Sequence, residues 1–102
     1  MSALVEQRLD ADGSERRAIR ELVRFSGKEV LEIGCGTGRF TWCYADSAAS
    51  VLAVDPRERD IEQARLSTPQ SLHGRVTFVA ADATVLELPA GAFTVAVLSR
   101  SI

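Results

Sequence analysis

Hydrophobic positions along the chain fall into two rhythms that alternate. Short apolar runs rich in β-branched residues occupy positions 30–33, 51–54, 76–80 and 93–98, the composition of packed strands. The second run, Val51-Leu52-Ala53-Val54, has no polar alternation, as suits a parallel sheet covered on both faces. Between the runs the apolar positions take helical spacing. Ala18, Ile19, Leu22 and Val23 form one stripe, in a helix that Ser14 caps and Gly27 stops. Phe40, Cys43, Tyr44 and Ala48 recur at i, i+3, i+4 and i+8, predicting a helix over 38–48 with Trp42 off its buried face, over a loop or partly exposed. A third helix runs from Pro56, placed at its first position, to about Ser67 before Pro69, with Ile61 and Ala64 inward. Positions 70–75 read as a loop and 82–89 as a connection with room for one helical turn. Residues 2–9 read either as a short helix or as a frayed arm before the turn-rich break at 10–14.

Strand and helix in alternation define an α/β domain with a parallel sheet and right-handed crossovers. Residues 1–13 are an N-terminal arm and 14–102 the α/β part. Ligands of such sheets bind outside the C-terminal ends of the strands. Those ends carry Gly34, Gly36 and Gly38, then Asp55, Asp82 and Ser99. Glycines there let main chain approach a ligand closely, or simply make a tight strand-to-helix turn. Asp55 stands 17 residues after Gly38, where an acid can accept bonds from both hydroxyls of a ribose or cap the helix ahead of Pro56. Asp82 can accept from an exocyclic amine or cap a turn. A dinucleotide fingerprint, GxGxxG, wants its last glycine where this chain has Arg39.

Composition narrows the partners. The chain has 102 residues, 46% hydrophobic and 25% charged, with a net charge of −2. That suits one modest core and gives no drive toward nucleic acid or an anionic membrane. Arg16, Arg17, Arg20 and Arg24 interleave with Glu15 and Glu21 as a solvated helix face. Cys35 and Cys43 make no CxxC pair, and His73, beside Gly74, reads as a loop residue, so no metal site is expected. No apolar run approaches the roughly 18 residues that span a bilayer, and the N-terminus has no signal-peptide pattern. A cytoplasmic location is expected.

The run Glu32-Ile33-Gly34-Cys35-Gly36-Thr37-Gly38 resembles the first motif of class I S-adenosylmethionine-dependent methyltransferases. Val54-Asp55-Pro56 resembles the second motif, Ala81-Asp82-Ala83 the third, and 93–99 the fourth strand, in family order over about 14–102. The resemblance implies a Rossmann-like three-layer parallel sheet, partial, with its first four strands in the order 3-2-1-4. It implies S-adenosyl-L-methionine as cofactor. Glu32 would orient the glycine loop or meet the methionine ammonium, and Gly34, Cys35 and Gly36 would bring main chain against the cofactor, with Gly38 in the same cofactor-binding turn. Asp55 would hold the ribose diol and Pro56 would pack on the adenine. Asp82 and the Ala83 N–H would pair with the adenine edge, and Ser99 would line the floor, mainly by its backbone. No catalytic base is nominated.

The chain departs from the family in having Thr94 where an acid often stands, and Ser99-Arg100-Ser101 in place of an Asn-Pro-Pro-aromatic motif. A small-molecule methyl acceptor is therefore expected rather than nucleic acid. Family domains continue with three more strands, so strand four is expected to leave an open apolar edge fit to pair with another chain. Two other readings stand beside an enzyme part: a non-catalytic binding or assembly module, and a nicotinamide-nucleotide Rossmann enzyme.

Overall fold

A computed structural model of the chain describes residues 3–8, 25–87 and 91–100. The helix expected from Ser14 and its arginine cluster lie outside the described residues. Five strands form one parallel sheet: β1 (Ala3–Arg8), β2 (Glu29–Ile33), β3 (Ser50–Asp55), β4 (Val76–Ala80) and β5 (Val95–Arg100). Their order is β1-β5-β2-β3-β4, every pair parallel. The order 3-2-1-4 expected for the four apolar runs is thus present as β4-β3-β2-β5.

The fifth strand corrects two expectations. Residues 3–8 are neither a helix nor a frayed arm; they pair along β5 from Ala3 opposite Val95 to Arg8 opposite Arg100. The edge of the fourth apolar run is therefore occupied by this chain's own β1. The physical cause is the same one that suggested a partner chain: an apolar strand of Val95, Ala96, Val97 and Leu98 gains by pairing on both sides. The expected pairing with another chain at that edge is withdrawn.

Parallel register puts one set of side chains on one sheet face. Val95 and Val97, Val30 and Glu32, Val51 and Ala53, and Val76 and Phe78 align across the sheet. The apolar members join Phe25, Phe40, Tyr44, Ile61, Ala64 and Leu72 in one core. Leu31, Val54 and Ala96 are buried on the opposite face. Helix α1 (Glu58–Ser67) buries Ile61 and Ala64, with Glu58 and Asp60 in its first turn and Arg65 in its last, charges that complement the helix dipole. It starts two residues later than expected. The Asp55 carboxylate accepts the Arg57 N–H at 2.9 Å, a local turn that makes Pro56 a corner ahead of the N-cap.

The helix expected over 38–48 is a single 3-10 turn, Thr41–Cys43, continued by irregular turns. Its stripe residues Phe40, Cys43, Tyr44 and Ala48 are buried as their spacing requires. Thr41, Trp42 and Cys43 are weak helix formers, and the Ser47 carbonyl is drawn out to the Gly27 N–H at 3.0 Å. Trp42 is half-buried and stacks edge-on against Phe78 with centroids 5.5 Å apart. A Cβ at Gly38 would meet its ring at 2.9 Å, so the tryptophan roofs the glycine turn.

Candidate functional site

The parallel sheet aligns its strand ends: Ile33 lies opposite both Val54 and Leu98, and Asp55 opposite Ala80. The glycine turn leaves β2 at this rim and leans on β3. Gly34 and Cys35 donate to the Val54 carbonyl at 2.8 and 3.2 Å, and Gly36 donates to Asp55 Oδ2 at 2.9 Å. These N–H groups are satisfied within the protein. The bare backbone expected at 34–36 is therefore tied down, and its tie is the acid of the next strand. Gly34 has φ +85°, and a Cβ there would run into the Ser99 carbonyl.

Beneath the turn, Glu32 is 0% exposed. Its Oε1 accepts from Thr41 Oγ1 at 2.7 Å and Tyr44 OH at 2.6 Å, and its Oε2 lies 2.6 Å from Ser99 Oγ. Ser99 Oγ also reaches the Gly34 carbonyl at 3.0 Å. Glu32 and Ser99, expected separately, are thus brought together by side chains, and Ser99 acts through its hydroxyl as well as its main chain. These bonds staple β2, β5 and the segment after the glycine turn to one carboxyl.

Burial pushes the Glu32 carboxyl above the usual carboxylate range, against the pull of Ser99, Tyr44 and Thr41. Burial likewise raises Tyr44, helped by the Glu32 charge. The Cys35 thiol is also raised, first by burial and then by the charges of Glu32 and Asp55, which leaves it a poor nucleophile. A carboxyl raised in the folded state favours folding while protonated, so its contribution is full below the unfolded value and is lost as pH rises through the folded one. Glu32→Gln is expected to flatten that fall on the alkaline side of the ordinary carboxylate value of 4.5, read by urea denaturation at a series of pH values. The amide keeps the contacts, because Nε2 can donate to Ser99 Oγ while Ser99 turns its proton to Gly34. An unchanged pH slope in Glu32→Gln would contradict the assignment.

Asp55 is 1% exposed at the end of β3. Burial works to raise its carboxyl, but the Arg57 side chain and the N–H groups of Arg57 and Gly36 outweigh it and hold it below its usual value. The Arg57 guanidinium binds it two-handed, Nε to Oδ1 and Nη2 to Oδ2, both at 2.9 Å. Asp82 is exposed and caps the 3-10 turn Ala83–Val85, with Oδ1 accepting from Thr84 N and Oγ1 at 2.9 and 2.8 Å. Those bonds lower its pKa. The capping alternative for Asp82 is thus what the side chain does here. Pro56 is exposed and Ala83 half-buried beside these acids.

Three residues of the site escaped the sequence reading. Tyr44 and Thr41 were legible only as members of a helical segment, because their partner Glu32 is 12 and 9 residues away. Arg57 had a signal: a cation two residues after an acid at a strand-to-helix turn. Among the described residues no group of three or more His, Cys, Asp or Glu side chains could hold a metal ion, and no helix is long and apolar enough to cross a membrane.

A Rossmann-like parallel sheet with a glycine turn and acids gathered at its strand ends defines a class of α/β ligand-binding domains. Within it, the family described as "Methyltransferase domain" matches residues 30–102, and the chain belongs to that family. It is 36% identical over 69 residues to a ubiquinone biosynthesis O-methyltransferase of Leptothrix cholodnii, covering 66% of this chain and 29% of that protein. A phosphoethanolamine N-methyltransferase of Haemonchus contortus, solved with phosphoethanolamine and S-adenosylhomocysteine, superposes with a TM-score of 0.71 at 28% identity, over 83% of this chain and 18% of that one. An S-adenosylmethionine-dependent methyltransferase of Mesorhizobium loti gives 0.67 at 31% identity, over 80% and 37%. The chain spans less than a third of the curated relatives it matches.

Proposed function

We propose that this chain is the S-adenosylmethionine-binding part of a methyltransferase that acts on a small molecule in the cytoplasm. The observation that carries the reading is Asp55, a buried carboxyl held ionised at the end of β3 and tied by Gly36 to the glycine turn. An ionised carboxylate accepts two bonds at once, which suits the vicinal diol of a nucleoside. The relatives support the cofactor and the acceptor class: one is named for ubiquinone biosynthesis, another was solved with phosphoethanolamine and S-adenosylhomocysteine.

In this reading Asp55 takes the ribose hydroxyls, and Pro56 offers an exposed apolar face to the adenine. Asp82 and the Ala83 N–H meet the adenine edge. Gly34, Cys35, Gly36 and Gly38 shape the turn so that main chain replaces side chain beside the ligand. Glu32 and Ser99 fix that turn from below. S-adenosylmethionine, when bound, supplies an activated methyl on a sulfonium. What remains for the protein is alignment, which contributes about 7–11 kcal/mol in favourable cases. Residues 14–102 serve as one binding unit.

The reading is tested by thermal shift. S-adenosylmethionine or S-adenosylhomocysteine should raise the Tm, and NADH at the same concentration should leave it unchanged, since a bound ligand stabilises by mass action. A shift with NADH alone would favour the nicotinamide reading.

A further inference from the structure

Asp55 accepts four bonds in this structure. Its Oδ1 takes the Arg57 backbone N–H and Nε, and its Oδ2 takes the Gly36 N–H and Arg57 Nη2. A carboxylate offers about four lone-pair sites, so the acid is saturated. Two of the four donors belong to backbone and are fixed by the glycine turn and the corner at Pro56. The other two belong to a single guanidinium whose side chain is 54% exposed. A diol that binds Asp55 needs the two sites the guanidinium holds. The same guanidinium has a second anion in reach: Nε lies 3.2 Å from Asp60 Oδ2, in the first turn of α1 and itself partly exposed.

From this arrangement we propose that Arg57 is a latch on the ribose seat. It competes with the ligand diol for Asp55 and is held by Asp60 when the diol takes its place. The proposal rests on the ribose role given to Asp55 above. In the latched position Arg57 spans both acids; in the released position it keeps Asp60 alone. Arg57 therefore sets affinity without belonging to the binding surface, and Asp60 assists binding without touching the ligand. The carboxylate end of the latch is buried, so salt screens it less than it screens the more exposed Arg57–Asp60 pair.

The test is a double-mutant cycle read by calorimetric titration of S-adenosylhomocysteine into the protein, with circular dichroism confirming the fold of each variant. Arg57→Ala retains both backbone donors on Asp55 and is expected to tighten binding by about threefold to tenfold, the loss of a two-handed ion pair whose guanidinium is half exposed and whose carboxylate is buried. Asp60→Asn removes the second anion and is expected to weaken binding by about twofold to fivefold. In the Arg57→Ala background Asp60→Asn should then have no effect, because the two act through one side chain.

Weaker or unchanged binding in Arg57→Ala overturns the latch, as does an Asp60→Asn effect that persists without Arg57. Such a result leaves the ribose role of Asp55 standing, provided Asp55→Ala still loses the ligand. Absence of S-adenosylhomocysteine binding in wild type and in Arg57→Ala alike removes the cofactor reading itself, and the latch with it.

Discussion

Asp55→Ala is expected to lower the affinity for S-adenosylhomocysteine by at least a hundredfold, measured by calorimetric titration. Hydrogen bonds to a charged group contribute about 1.5–3 kcal/mol each, a ribose diol makes two, and every 1.4 kcal/mol is about tenfold. Part of the loss reaches the ligand indirectly. Gly36 N donates to Oδ2 at 2.9 Å, so the glycine turn loses its tie to β3 along with the diol's acceptor. Asp55→Asn separates the two contributions: its remaining oxygen can keep one backbone tie while the charge is gone, and an intermediate loss is expected. An unchanged affinity in Asp55→Ala would remove this acid from the site.

The second large effect is on stability. Gly34→Ala is expected to cost about 2–6 kcal/mol, combining a left-handed backbone at about 1–3 kcal/mol with overpacking at about 1–3 kcal/mol. The overpacking is against main chain: Gly34 has φ +85° and a Cβ would strike the Ser99 carbonyl. Ser99 is itself pinned, because its hydroxyl engages Glu32 and the Gly34 carbonyl, so neither side can yield. Gly74 provides the control. It has φ +86° with nothing within 4 Å of an added Cβ, so Gly74→Ala should cost only the backbone share. Urea midpoints of the two variants decide. Equal losses would show that the Gly34–Ser99 approach adds nothing to the backbone cost.

The strands were legible because their signal is local. Val51, Val54, Val76, Phe78, Val95 and Val97 are buried where the apolar runs placed them, and the parallel sheet follows from strand and helix taking turns along the chain. The glycine spacing and the position of Asp55 were legible for a different reason: a turn against neighbouring main chain constrains the backbone itself, which leaves a trace in residue type. Two features were not legible, each because it depends on residues far apart in sequence. Residues 3–8 have no strong local preference, and their strand exists because β5 accepts a partner opposite Val95 to Arg100. The segment after Gly38 has a helical rhythm but forms only the turn Thr41–Cys43, since its Thr41 and Tyr44 hydroxyls point to a carboxyl on β2. Asp82 was read with two uses, and the one its side chain performs is the local cap on Thr84.

The site reads as two carboxyls with opposite tasks. Glu32 is sealed and satisfied by hydroxyls, and its raised pKa marks a structural tie. Asp55 is held ionised by donors, half of which a side chain can withdraw. Burial opposes the charge at both: at Glu32 the three hydroxyls do not outweigh it, whereas at Asp55 a guanidinium and backbone N–H groups do.

The central claim is that Asp55 is the seat of a cofactor ribose, and the most direct measurement is a crystal structure of the protein with S-adenosylhomocysteine. The account predicts both ribose hydroxyls within hydrogen-bond distance of the Asp55 carboxylate, with the Arg57 guanidinium displaced toward Asp60. Ligand density away from the C-terminal ends of β2, β3 and β4, or an Asp55 carboxylate still held by Arg57 beside a bound ligand, would contradict it.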